Sequence, residues 1–194
     1  MKTSIFVLLV LSFFAWSCAN EPKDSVEKAN SANEAKLDSA DAGTAQPAIV
    51  ADKETSDFLV AAANDGMAEI KLGELAQQKA TNQNVKDFGA MMVRDHGAAN
   101  DEVKALAARR NVTLPDSVSS GKKKDYDDLN KRSGAGFDRA FCRQMENDHE
   151  SAVKTFKNAA DKVNDAEVKT FINNTIPKLQ HHLDSIKSIR KTVK

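Results

Sequence analysis

Six side chains in this sequence have the types and the spacing to do chemistry together: Glu69, Asp95, His96, Asp148, His149 and His182. Each interrupts, or adjoins an interruption of, an otherwise apolar stripe that recurs at steps of three and four residues. A buried charge or imidazole is tolerated only when it is paired, hydrogen-bonded or metal-bound. One such interruption in each of four stripes therefore calls for a common explanation. Imidazoles and carboxylates gathered at one height are ligands for zinc, copper or iron. They are equally the material of a hydrogen-bond and ion-pair network that fixes helix register. Histidine beside carboxylate also serves acid–base catalysis, but no serine is placed as an activated nucleophile, and the residues favour a non-enzymatic protein over an enzyme.

The motif Met-x-x-Asp-His occurs twice, as Met92 to His96 and as Met145 to His149. Neighbouring residues on a helix point about 100° apart, so the Asp and His of each pair cannot both face the bundle axis. One member serves a site while its neighbour supports it from behind. Met67, Met92 and Met145 would draw such a site towards copper(I), and they serve equally well as core filler.

Four helices must position these groups. The first runs over 54–80 with Phe58, Ala62, Glu69, Leu72 and Ala76 along one stripe, and the second over 84–110 with Val85, Phe88, Met92, Asp95, Ala99, Val103 and Leu106. The third, over 135–162, carries Phe137, Phe141, Met145, Asp148, Ala152, Phe156 and Ala159, and the fourth, over 165–192, carries Val168, Phe171, Thr175, Leu179, His182, Ile186 and Ile189. Glu69 lies 13 residues before Asn82 and Asp95 lies 13 after it, which puts both about 20 Å from the first turn. His149 lies 15 residues before Asn164 and His182 lies 18 after it, about 22 and 27 Å from the second turn. All of these heights fall near mid-helix, so two long hairpins packed as a four-helix bundle bring the groups together. The 24-residue connection 111–134 exceeds the roughly two to eight residues of a bundle turn and predicts a partly helical link, either a reversal or a crossover. Its Lys122 to Asp128 run reads as a solvated face. Gly66, Gly73, Gly89 and Gly97 fall inside the first two helices, where their role is to let the two approach closely.

The N-terminus supplies the address. Lys2 precedes an apolar run from Ile5 to Trp16, interrupted only by Ser12, and the run ends at Ser17-Cys18. Such a run is too short for the roughly 20 residues of a membrane span and has the form of a signal peptide over 1–17. A small residue before a cysteine at this place resembles a bacterial lipobox, with Cys18 the lipidated residue and new N-terminus. The expected partner is thus the membrane, through that lipid, and the expected location is the bacterial cell envelope, at the outer membrane or facing the periplasm. Residues 18–53 read as the lipidated cysteine and a flexible tether, because Val26, Leu37, Ile49 and Val50 are isolated among Ala, Ser, Asn, Asp, Glu and Lys. Residues 54–194 form the bundle domain. Cys142 then stands alone in the mature chain, without a disulfide partner.

Composition excludes other classes. Lys plus Arg and Asp plus Glu number 28 each, so no basic field exists to hold a phosphate backbone, and nucleic acid is not an expected partner. Loss of residues 1–17 removes the single Trp and leaves one Tyr, poor equipment for stacking bases or sugars.

Asp57-Phe58, Gly66, Glu69, Leu72-Gly73, Lys86-Asp87-Phe88, the two Met-x-x-Asp-His motifs, Pro115, Phe137-Asp138, Phe156 and Pro177-x-Leu179-x-x-His182-Leu183 together resemble domain-of-unknown-function family 4142. The resemblance covers about residues 54–190. It implies export and an all-α, ferritin-like four-helix bundle with no established biochemical role. Ferritin-like proteins that bind two metals use Glu-x-x-His on two helices. This chain has that spelling only at Glu146 to His149, with Val93 three before His96 and Leu179 three before His182, so a di-iron oxidase is not expected.

Overall fold

The structure, a computed structural model, describes residues 24–41 and 51–193. The expected signal peptide, Cys18 and the stretch 42–50 lie outside the described residues. Among the described residues six helices follow in order: α1 (Ser25–Asp41), α2 (Lys53–Lys79), α3 (Gln83–Arg109), α4 (Ser120–Asn130), α5 (Gly134–Lys162) and α6 (Ala166–Thr192). The chain is all-α, and the four long helices fall within one residue of the ranges that the apolar periodicity dictates.

Side-chain caps set several of the starts, by satisfying amides that a first helical turn leaves without partners. Asp52 accepts from Thr55 N at 2.8 Å, and Asn82 accepts from Asn84 N at 2.9 Å. Asp165 Oδ1 accepts from both Glu167 N and Val168 N. The turn between α2 and α3 is capped from a distance: the buried Asp138 carboxylate accepts from Thr81 N, Thr81 Oγ1 and Asn82 N.

Contacts at the two ends fix the topology. Asp138, near the start of α5, holds the α2–α3 turn, and the Phe88 and Phe141 rings lie 6.2 Å apart, so the first halves of α3 and α5 are level. At the opposite end Leu106 and Ala107 pack with Val163 and Val168, and Arg110 bonds Asp165. Helices α3 and α5 are therefore parallel, and the link between them crosses the full length of the bundle instead of reversing. Helix α4 forms the second half of this crossover. It runs beside α2, with Lys122 near Asp65 and Lys79 bonding Asn130.

The approach of α2 to α3 depends on two facing glycines. A Cβ on Gly73 would sit 2.6 Å from the Gly89 carbonyl oxygen, and one on Gly89 would sit 2.7 Å from that of Gly73. Gly66 makes room for the Asn100 side chain, whereas Gly97 faces open space and plays no part in the approach.

The expected tether is corrected over residues 25–41, which fold as α1. Ala29 and Asn33 are buried, and Val26 and Leu37 are partly so, giving a stripe at steps of three and four residues. The Asn33 amide acts as a two-point clamp: Nδ2 donates to Thr113 O at 2.9 Å and Thr113 N donates to Oδ1 at 2.7 Å. Lys36 reaches Asn111 O and Thr113 Oγ1, while Asp24 Oδ2 accepts from Ser120 N. Helix α1 thus straps down the extended half of the crossover, whose backbone would otherwise lack partners. Asparagine at the centre of its stripe disguised the helix as a polar linker.

Two apolar clusters fill the bundle. One gathers Leu72, Phe88, Met92, Phe137, Phe141, Met145 and Ile186, and the other Phe58, Leu59, Val103, Leu106, Phe171 and Ile172. Between them the four helices present polar side chains to one another.

Candidate metal centre

Mid-helix positions on α3, α5 and α6 bring His96, His149 and His182 together. Their ring centroids lie 5.6 Å (His96–His149), 5.5 Å (His96–His182) and 5.3 Å (His149–His182) apart. One ring nitrogen of each lies within 4.8 Å of those of the other two, and among the described residues this is the group that could hold a metal ion.

The far side of two rings is fixed. His149 Nδ1 donates to the Met145 carbonyl oxygen four residues back at 2.9 Å, which leaves Nε2 as the lone-pair nitrogen. His182 Nε2 donates to Asp95 Oδ2 at 2.9 Å, which leaves Nδ1 free. Nε2 of His96, Nε2 of His149 and Nδ1 of His182 are all buried without a hydrogen-bond partner. A ligating histidine is commonly oriented in this way, its second nitrogen held by a carboxylate or a carbonyl.

Burial also keeps the rings neutral. It pulls His96 down to about 3, helped by the charge of the other two rings, and His149 down to about 4. Burial lowers His182 as well, outweighing the pull of Asp95. Neutral imidazole is the form that binds a metal. Asp95 is itself pushed up by burial, but the bonds from Arg94 and His182 outweigh this and hold its carboxyl below the usual range.

The six residues singled out from sequence thus divide. His96, His149 and His182 form the nitrogen cluster. Asp95 stands behind His182 and not beside the other ligand atoms. Asp148 is also outside the cluster, because its two oxygens accept from Lys122 Nζ at 3.2 Å and Gln144 Nε2 at 2.8 Å. Glu69 lines the same cavity of about 110 Å³ as the three histidines. It is 5% exposed, its Oε2 has no partner, and burial, with the Asp148 charge nearby, raises its carboxyl well above the usual range.

Lys122 is the residue the sequence reading misplaced. It is half-buried at the cavity, 3.2 Å from Asp148 and 3.4 Å from Asp65. Burial opposes its charge, but these two carboxylates more than compensate and hold it above the ordinary lysine range. A signal existed in the charge pattern. Lys123 and Lys124 each pair with an aspartate four residues on, as a solvated face should, whereas Lys122 has Tyr126 there.

Met92 and Met145 are fully buried in the apolar cluster and do not line the cavity, so the structure assigns them to the core. Cys142 is buried in the same cluster, where burial pushes its thiol up to about 11. His181 is exposed and does not line the cavity.

Two solved structures share the fold. A fragment of a DUF305 protein from Deinococcus radiodurans superposes with a TM-score of 0.66 at 12% identity, covering 74% of this chain and 99% of that one. CopM, in its Cu(II)-bound form, superposes with a TM-score of 0.62 at 21% identity, covering 71% of this chain and 96% of that one. No curated protein matches the chain. Residues 26–189, which include all but the first residue of α1 and all the residues of the polar centre, match the family described as domain of unknown function DUF4142, and the chain belongs to that family.

Proposed function

We propose that this chain is a lipid-anchored protein of the cell envelope that binds one transition-metal ion, copper(II) above zinc or iron, through His96, His149 and His182. The observation that carries the reading is the trio of buried, unpartnered ring nitrogens, two of them with the opposite nitrogen fixed by Asp95 and by the Met145 carbonyl. A self-contained hydrogen-bond network would have closed on itself. Here three imidazole nitrogens are left over, a costly arrangement unless something accepts their lone pairs.

The donor set selects the metal class. Three neutral imidazoles without a thiolate suit copper(II), zinc and iron(II), and among divalent ions the affinity of a nitrogen site peaks at copper. The solved relative with bound Cu(II) has the same fold, which supports copper as the first ion to test. No described residue is placed as a nucleophile, so the role proposed is metal binding and not turnover. Anchoring rests on Ser17-Cys18 at the end of the apolar run. Among the described residues no helix is long and apolar enough to cross a membrane.

The test is elemental analysis of the chain from residue 19 onward, purified without an affinity tag and loaded in turn with copper, zinc and iron. About one copper per chain, lost in the His96→Ala, His149→Ala double variant, is the expected result. No metal above background in the parent chain would refute the reading. For the anchor, mass spectrometry of the full-length protein expressed in a bacterium should find lipid on Cys18 and none in Cys18→Ser.

A further inference from the structure

The cavity offers more than three histidines need. Its lining also includes Glu69, Asn100, Thr175, Lys122 and Asp148, in a volume of about 110 Å³. A water needs only about 10–15 Å³ of such space, so an ion and a small second molecule both fit.

Several of the polar groups around this space are committed. Lys122 is bound to Asp148 and Asp65, Asp148 also to Gln144, and the Thr175 hydroxyl donates to the Phe171 carbonyl at 2.7 Å. Apart from the imidazole nitrogens, the lining atom that is buried and without a partner is Glu69 Oε2. Glu69 sits on α2, the one long helix that contributes no histidine. Its carboxylate also lies outside the group of ligand atoms within 4.8 Å of one another. A carboxyl buried at 5% exposure without a partner is strongly disfavoured. Its retention at this cavity wall implies a polar occupant. A site with three protein ligands has a free coordination position where such an occupant can sit.

We infer that the metal centre is open: the ion held by the three histidines takes a small exogenous ligand, water or a small anion, and Glu69 hydrogen-bonds that ligand through Oε2, accepting from a water or, as the protonated carboxyl, donating to an anion such as azide. This deepens the metal-binding reading and rests on it. Glu69 is then a positioning residue, acting on the ligand and not on the ion.

The probe is azide, added to the copper(II)-loaded chain from residue 19 onward and followed by its charge-transfer absorption and by electron paramagnetic resonance. One azide per copper is the expected stoichiometry. Glu69→Leu should keep its copper and bind azide about tenfold more weakly, the equivalent of one lost hydrogen bond. Glu69→Gln, which restores a hydrogen-bonding group of the same size, should return the affinity to near the parent value. Three results would overturn the inference: copper bound with no response to azide, Glu69→Leu binding azide as tightly as the parent, or loss of copper from Glu69→Gln, which would make Glu69 a ligand. Failure of the parent chain to bind copper is read before azide is added. It would refute the metal reading itself and this inference with it.

Discussion

Replacing Asp95 by alanine separates a metal site from a structural polar core, because the hydrogen bond Asp95 makes to the three histidines is the one to His182. Its Oδ2 accepts from His182 Nε2 at 2.9 Å, and its other partner is the exposed Arg94, at 2.8 Å from Oδ1. Without that acceptor the His182 ring, at 3% side-chain exposure, is no longer held with Nδ1 as its lone-pair nitrogen. Loss of such a supporting contact weakens metal binding about 10- to 100-fold. At free copper 100 times the parent Kd, binding adds about 2.7 kcal/mol to the stability of the parent chain. The same copper concentration adds only about 1.4 to 0.4 kcal/mol to the variant. For a chain of this size each kcal/mol moves Tm by about 2–4 °C, so the copper-induced rise should fall from about 5–11 °C to about 1–6 °C. Paired thermal melts with and without copper, followed by far-ultraviolet circular dichroism, give both numbers. An equal copper-induced rise in parent and Asp95→Ala would refute the argument that Asp95 orients a ligand.

Three further outcomes are expected. Gly73→Ala should cost about 1–3 kcal/mol in urea unfolding, because its Cβ would meet the Gly89 carbonyl at 2.6 Å, while Gly97→Ala, which meets nothing within 4 Å, should be neutral or add about 1 kcal/mol. Asn33→Ala should lose about 1–3 kcal/mol and open the 111–119 segment to proteolysis, since both of its bonds to Thr113 disappear. The metal-free chain should lose stability as pH falls. His96 and His149 titrate at about 3 and 4 when folded but near 6.5 when unfolded, so below about 6.5 the unfolded chain takes up more protons. His149→Gln should flatten that acid limb in melts across pH 4 to 7, and an unchanged slope would count against burial of a neutral ring. Glu69 acts in the opposite sense: its raised carboxyl stabilises the fold at low pH and loses that contribution as pH rises through its folded value.

Much of the bundle was legible because helix formation and burial share one periodicity. Steps of three and four residues placed α2, α3, α5 and α6 to within a residue, and arithmetic from the two turns put the histidines at mid-height. Metal-site geometry was legible only as a set of candidates. Spacing shows that Asp95 and His96 face about 100° apart, but not which of them looks inward. The packed helices turn His96 into the cluster and set Asp95 behind His182 on another helix. Helix α1 was hidden by its composition, since a stripe whose centre is Asn33 carries little hydrophobic signal until Thr113 supplies its partner.

By itself, then, the sequence determined the four long helices, their lengths and the level at which polar groups meet, since all of these follow from local periodicity and a fixed rise per residue. The tertiary structure decided the crossover between α3 and α5, the strap formed by α1, the burial of Lys122 against Asp148, and the division of six candidate residues into three ring nitrogens and their supports. Each of those depends on side chains more than 20 residues apart in the chain. Such pairings are chosen by the packing of whole helices, and no local pattern encodes them.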